Sequence, residues 1–159
     1  MKQRLNHLFL SILFAGISSL CACQKQAEYA PPEPVPFRIL NNYFVRNTTP
    51  KGELLKVLPT QKHFDEVFGS AAFMGPKGLP TPINFETETV LAVILPTMNQ
   101  SCTLSVQDVI KEGDKLTFSY TQTMGAPLTY TIRPSLRIAV PKSALISKII
   151  FRPIDPLDP

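Results

Sequence analysis

Proline is the residue that most constrains how this chain can fold. The sequence holds sixteen prolines, all after position 30, and no tryptophan. Proline breaks a helix interior because it lacks a backbone N–H and clashes with the preceding turn, whereas strand ends, sheet edges and turns tolerate it. A helical bundle is therefore disfavoured. We expect a mainly β domain with one short helix (α+β), arranged as a compact antiparallel β sandwich or half-barrel.

The proline-free N-terminus has the features of a secretory signal peptide. Lys2 and Arg4 supply positive charge, and residues 8–20 form an apolar run. As a helix this run is shorter than the ~30 Å hydrocarbon core of a membrane. It therefore predicts a cleaved signal and not a resident transmembrane helix.

Two cysteines end this segment in the sequence Leu20-Cys21-Ala22-Cys23. The four residues resemble the lipobox of bacterial lipoproteins, with an aliphatic residue at −3, a small residue at −1 and a cysteine that receives diacylglycerol. Cys23 fits this pattern, whereas Cys21 follows the bulky Leu20. We expect cleavage between Ala22 and Cys23 and lipid attachment to Cys23. An ordinary signal peptide with incidental cysteines is the alternative, and a metal or redox pair has less support because Cys-x-Cys supplies only two ligands.

The chain is predicted to contain four segments. Residues 1–22 are the lipoprotein signal peptide, and residues 23–36 carry the lipidated cysteine and a proline-rich tether of polyproline type. Residues 37–153 form a single β-rich domain, and residues 154–159 a frayed tail. After cleavage only Cys102 would accompany Cys23. We therefore expect the domain to be stabilised by packing and not by an internal disulfide.

The apolar pattern predicts one helix among many strands. Thr60 is a suitable N-cap, Phe64, Val67 and Phe68 form one apolar stripe, and Gly69 is placed to end the helix. Alternating residues favour strands, with the Gly-Asp pair in residues 111–115 as a hairpin connection. The predicted strands are residues 37–47, 53–58, 89–95, 102–110, 115–123, 128–132, 136–140 and 147–153, with a long loop at 70–85 and a turn at 124–127.

Several stretches in this order resemble the C-terminal domain of the protease complex subunit PrcB and related bacterial proteins. The matching stretches are Asn84-Phe85 after the helix, the strand Val90–Leu95, the hairpin at 104–120 and "TIRPSLRIAVPK" at 131–142. The resemblance covers residues 43–152. It implies a lipoprotein accessory subunit of an extracytoplasmic protease and supplies no catalytic residue. The chain departs from the family after the buried strand, where "PTMNQSCTL" replaces a Thr-Gly-Gly-Tyr stretch.

Residues able to perform catalysis are few and isolated in the sequence. His63 is expected on the solvated side of the helix, Glu86 and Glu88 at a polar strand entrance, and Cys102 as a buried, inert thiol. No motif for a metal, phosphate or nucleophilic serine site is present. Basic residues are interleaved with acidic ones, which disfavours nucleic-acid binding. We expect no enzyme activity, no metal and no cofactor other than covalent lipid.

Large apolar residues in polar loops are the better candidates for function. Phe73 and Met74 lie in "AAFMGPKG", and Met98 precedes Asn99 in "PTMNQS". Such side chains often cover a core from outside. If they cluster at one edge, they form a patch able to bind a protein.

The sequence thus predicts a lipid-anchored, non-catalytic protein-binding module of the bacterial cell envelope, with the outer membrane favoured because Gln24 follows Cys23 in place of aspartate. The partner would be an extracytoplasmic protease, for which the chain is an accessory or inhibitory subunit, or another envelope protein. The alternative is a ligand-binding or structural envelope lipoprotein without a protease partner.

Overall fold

The computed structural model describes residues 31–75, 78–145 and 147–155. The expected mainly β domain with one short helix is confirmed. The signal peptide, the cleavage site and Cys23 lie outside the described residues. The elements are β1 (Glu33–Pro34), β2 (Arg38–Ile39), β3 (Tyr43–Val45), β4 (Leu54–Leu58), α1 (Gln61–Val67), β5 (Phe68–Ser70), β6 (Glu88–Ile94), β7 (Met98–Glu112), β8 (Lys115–Ile132), β9 (Ser135–Pro141), a 3-10 turn (Lys142–Ala144) and β10 (Lys148–Ile154).

One long antiparallel ribbon forms the centre of the fold. Strand β6 pairs with β9, and β7 pairs with β8. The two ladders are continuous, because the Leu95 N–H donates to the Pro134 carbonyl at 2.9 Å between them. The ribbon closes at Gly113, whose φ of 57° is the left-handed conformation that glycine adopts readily. The predicted Gly-Asp connection therefore lies at the turn of this ribbon.

The ribbon folds back on itself to make two stacked sheets. Its register shifts between Met98 and Gln100, between Gln100 and Cys102, and between Val106 and Asp108, and such irregularities bend and twist a strand pair. The first sheet has the order β1-β7-β8-β10, and the second has the order β2-β9-β6-β4. Apolar side chains from both sheets form the first core, which includes Leu91, Val93, Val109, Leu116, Phe118, Tyr120, Leu136, Ile138 and Val140.

The other face of the second sheet is also covered. Alternate residues of β6 and β9 point away from the first core and join a second core of Leu40, Leu58, Phe64, Phe68, Val90, Ala92, Ile94 and Ala139. This core is closed by α1 and by the short antiparallel pair of β3 and β5. Strand β6 is therefore buried on both faces, which explains why its sequence is continuously apolar and not alternating.

The predicted helix is confirmed, with a small change at its end. The Thr60 side chain accepts a hydrogen bond from the His63 backbone N–H, so it caps the helix as expected. Phe64 is 1% exposed and packs edge-on against Tyr43, with ring centroids 4.9 Å apart. The helix ends at Val67, because Phe68 and Gly69 enter β5 and pair with β3.

One strand prediction and one turn prediction were wrong. Residues 37–47 form two short strands in different sheets, since Leu40 turns into the second core and Asn42 has a φ of 62°. Residues 124–127 form no turn, because β8 continues through them in register with β7. A Cβ at Gly125 would collide with the Ser101 hydroxyl on β7, so this glycine permits close strand approach and does not mark a turn.

The boundaries of the tether and tail also need correction. Glu33 and Pro34 pair with Lys111 and Ile110 at the edge of the first sheet. Val35 donates its N–H to Val109 and is buried in the first core at 8% exposure. The folded domain therefore begins before residue 37. Proline is tolerated in this edge strand because, among the residues that the structure describes, no strand pairs with the side of β1 that faces away from β7. At the other end, Ile154 still pairs with Thr121, so the first residue assigned to the tail belongs to β10.

Candidate protein-interaction surfaces

The loop after β5 exposes three large apolar side chains. Phe73 is 59%, Met74 99% and Leu79 80% exposed. We call these three residues the apolar loop tip. The sequence placed Phe73 and Met74 in a polar loop as candidate partner-binding residues, and the structure exposes both side chains. Leu79 was missed, although it lies between glycine and proline in a turn-rich stretch and carries the same signal.

Hydrogen bonds fix the base of this loop to the segment between β2 and β3. The Ala71 N–H donates to the Asn42 carbonyl at 2.9 Å, and the Asn42 side-chain amide donates to the Leu79 carbonyl at 2.8 Å. Further along, Thr81 exchanges hydrogen bonds with Asn41 and accepts one from the Tyr43 hydroxyl at 2.7 Å. The apolar loop tip therefore projects from an ordered base.

Met98 and Asn99 do not join this surface. They begin β7 and are not in a loop. The Met98 side chain packs against the first core, whereas Asn99 is exposed. The loop base is attached to Tyr43, which packs on the second core. The loop that carries Phe73 and Met74 and the strand start at Met98 and Asn99 are therefore anchored on opposite faces of the second sheet. The four residues do not form one patch.

A second exposed surface lies on β4. This strand is the outer member of the second sheet and pairs on one side with β6 through five residue pairs, from Leu54 with Ile94 to Leu58 with Val90. Leu55 is 44% and Val57 36% exposed, while Leu58 is buried. The sequence predicted the strand but not this surface, because an edge position depends on the order of strands and has no local signal.

Glu88 takes part in a structural ion pair. Arg38 Nη2 lies 2.8 Å from Glu88 Oε2, and the Asn84 N–H donates to the same oxygen at 3.0 Å. Burial alone would raise the pKa of Glu88, but the hydrogen bonds from Arg38 and Asn84 and the Arg38 charge outweigh it and lower the pKa. The exposed Glu86 donates its backbone N–H to Asn84 Oδ1. Glu88 thus stabilises the strand entrance.

Arg137 is a partly buried cation that the sequence did not reveal. It lies on the second-core face of β9, where Nε donates to the Leu40 carbonyl at 3.2 Å and Nη1 to the Tyr43 carbonyl at 3.0 Å. Its guanidinium carbon lies 5.3 Å from the centroid of the Phe68 ring. Burial lowers the pKa of Arg137 to about 10, so the group remains charged at neutral pH. Its contacts are to the protein interior, which makes it a structural residue.

The remaining reactive side chains are separate from one another. His63 is exposed on α1, where its Nδ1 lies 2.9 Å from the Thr60 hydroxyl. Cys102 is half-buried against the first core, and burial raises the pKa of its thiol. The expectation of full burial is therefore corrected, because the Cys102 side chain remains partly exposed on β7. Across the described ranges, no three His, Cys, Asp or Glu residues are grouped closely enough to hold a metal ion.

In the part of the chain that the structure describes, no helix has the length and apolar character needed to cross a membrane. Comparison with protein-family models, with curated proteins and with solved structures finds no match for the chain.

Proposed function

We propose that this chain is a lipid-anchored, non-catalytic protein-binding module of the bacterial cell envelope, attached through Cys23 to the outer membrane. The apolar loop tip carries the proposal. Phe73, Met74 and Leu79 expose large apolar side chains on one loop, and exposed apolar patches often mark protein-interaction sites.

The ordered loop base favours binding by this tip. Phenylalanine and methionine are enriched at protein interfaces, where a few buried side chains supply most of the binding free energy. The hydrogen bonds from Asn42 and Tyr43 hold the loop base before any partner arrives. Less conformational entropy is then lost on binding than with an unrestrained loop.

An accessory or inhibitory role toward an extracytoplasmic protease is the more specific form of the proposal. It is supported by the resemblance of residues 43–152 to the C-terminal domain of PrcB and by the anchor predicted at Cys23.

Site-specific photo-crosslinking in intact cells tests the proposal. The full chain would carry p-benzoylphenylalanine at Met74, with Asp114 at the exposed turn of the ribbon as the matched control position. We expect one discrete product from position 74 and none from position 114. Replacing Phe73 and Leu79 with serine should reduce the product about tenfold. Mass spectrometry of the product would identify a protease or another envelope protein. Equal products from both positions, or none from position 74, would argue against the proposal.

A further inference from the structure

The free edge of β4 is a place where another strand can be added. One side of β4 pairs with β6, and across the described ranges no strand pairs with its other side. A strand at the edge of a sheet presents unpaired N–H and C=O groups that an extended peptide can bind.

The side chains of β4 differ on its two faces. Leu55 and Val57 lie beside Val93 and Leu91 of β6, on the face of the first core, and are half-exposed. Lys56 points to the opposite face and pairs across the sheet with Ala92. The edge therefore presents an apolar residue, a cation and an apolar residue in sequence.

Lys56 has no carboxylate partner within the described part of the chain, where the ion pairs are Arg38 with Glu88 and Lys115 with Glu112. An edge lysine often prevents two copies of a sheet from pairing. A symmetric pair of β4 strands centred on Lys56 would place two lysines opposite each other, which is destabilising. In this register a second copy of the chain is disfavoured as the occupant, and an acidic residue opposite Lys56 is favoured.

We propose that the β4 edge binds an extended peptide containing an apolar–acidic–apolar triplet, which pairs as a fifth strand of the second sheet. The acidic residue lies opposite Lys56, and the apolar residues lie opposite Leu55 and Val57. The triplet is symmetric, so it matches this edge in either strand direction. The inference goes beyond the proposed function, because it names a second contact surface and the chemical class of the segment bound there.

Peptide binding to the full chain in detergent micelles tests the inference. The probes are fluorescein-labelled octapeptides with the central sequence Val-Glu-Val or Val-Lys-Val, followed by fluorescence anisotropy. We expect the glutamate peptide to bind about tenfold more tightly, because opposite charges replace like charges across the strand pair. Lys56→Glu should reverse the preference. Retention of the same preference, or no binding of either peptide, would overturn the inference.

Methylation of peptide amides gives an independent readout of strand pairing. In an added strand, alternate N–H groups point toward β4 and the others point to solvent. Methylating one alternate set should abolish binding, while methylating the other should leave it almost unchanged. Equal loss from both sets would exclude pairing at the β4 edge. Crosslinking from Met74 without peptide binding would leave the proposed function intact and refute only the β4 inference. Peptide binding without crosslinking would argue against the proposed function at the apolar loop tip and leave the β4 inference intact.

Discussion

Arg38 donates hydrogen bonds to both carboxylate oxygens of Glu88, with Nη2 lying 2.8 Å from Oε1 and from Oε2. The pair connects β2, a short edge strand, to the start of β6. Side-chain exposures are 48% for Arg38 and 20% for Glu88. Solvent therefore screens the arginine more than the carboxylate, which keeps the net contribution of the pair modest.

We expect the contribution of the Arg38–Glu88 pair to the free energy of unfolding to be lost at acidic pH. The folded state lowers the pKa of Glu88, so this stabilisation is present above the unfolded pKa and is lost as pH falls through the folded pKa. Glu88→Gln should lower the free energy of unfolding by about 1 kcal/mol at pH 7. Urea denaturation should show the difference from wild type shrinking at pH 3. A constant difference at both pH values would contradict the assignment.

Arg137 should contribute more to stability than exposed arginines. Arg137→Met leaves the carbonyls of Leu40 and Tyr43 without their donor, and we expect a loss of about 2–3 kcal/mol. Arg137→Lys should not retain this stability, because an ammonium group lacks the planar arrangement of donors that reaches both carbonyls. The exposed Arg152→Met is the control and should change the urea midpoint little.

Met98 and Met74 form a matched pair for testing the two loop predictions. Met98 packs against the first core, so Met98→Ala should lower the free energy of unfolding by about 1–3 kcal/mol. Met74 is 99% exposed, so Met74→Ala should change it by less than about 0.5 kcal/mol. Thermal melts of both variants would measure these two changes in stability. Equal losses would mean that Met74 also covers a core.

Local sequence signals predicted the elements whose conformation is set locally. Thr60 and Phe64 define the start and the buried face of α1 through capping and helical spacing, and Gly113 marks the turn of the ribbon. The continuation of strand β8 through residues 124–127 could not be predicted from local signals. Gly125 and Pro127 are local turn signals, but pairing with β7 imposes an extended conformation on them.

The exposed surfaces and the partly buried Arg137 could not be predicted from local sequence, because they depend on how the sheets pack. Arg137 alternates with apolar residues on β9, which ordinarily indicates a solvated face. That face is buried because α1 and the β3–β5 pair cover it. The free edge of β4 likewise follows from strand order, and Val35 was missed because the prolines around it outweighed one apolar residue. These properties arise from contacts between residues far apart in the chain.

Cys102 should react slowly with thiol reagents while the protein is folded. Its side chain packs on the first core, and burial raises the pKa of the thiol, so less thiolate is present at neutral pH. The neighbouring Thr103 is exposed on the other face of β7. Thr103→Cys in a Cys102→Ser background should therefore react faster with a disulfide reagent, and unfolding in urea should abolish the difference. Equal rates before unfolding would contradict the packing of Cys102.

Cys21 and Cys23 should have opposite fates. A thioether to diacylglycerol requires a thiol at the position that follows the small residue Ala22, so Cys23→Ser should block lipid attachment, whereas Cys21→Ser should change little. Two or more acyl chains anchor a protein stably, while one chain alone is marginal. Cys23→Ser should therefore leave an uncleaved precursor or release a soluble form. Metabolic labelling with an alkyne fatty acid, followed by membrane fractionation, would measure both effects, with Cys102→Ser as the control. If Cys21→Ser abolished labelling and Cys23→Ser did not, the anchor would be on the other cysteine.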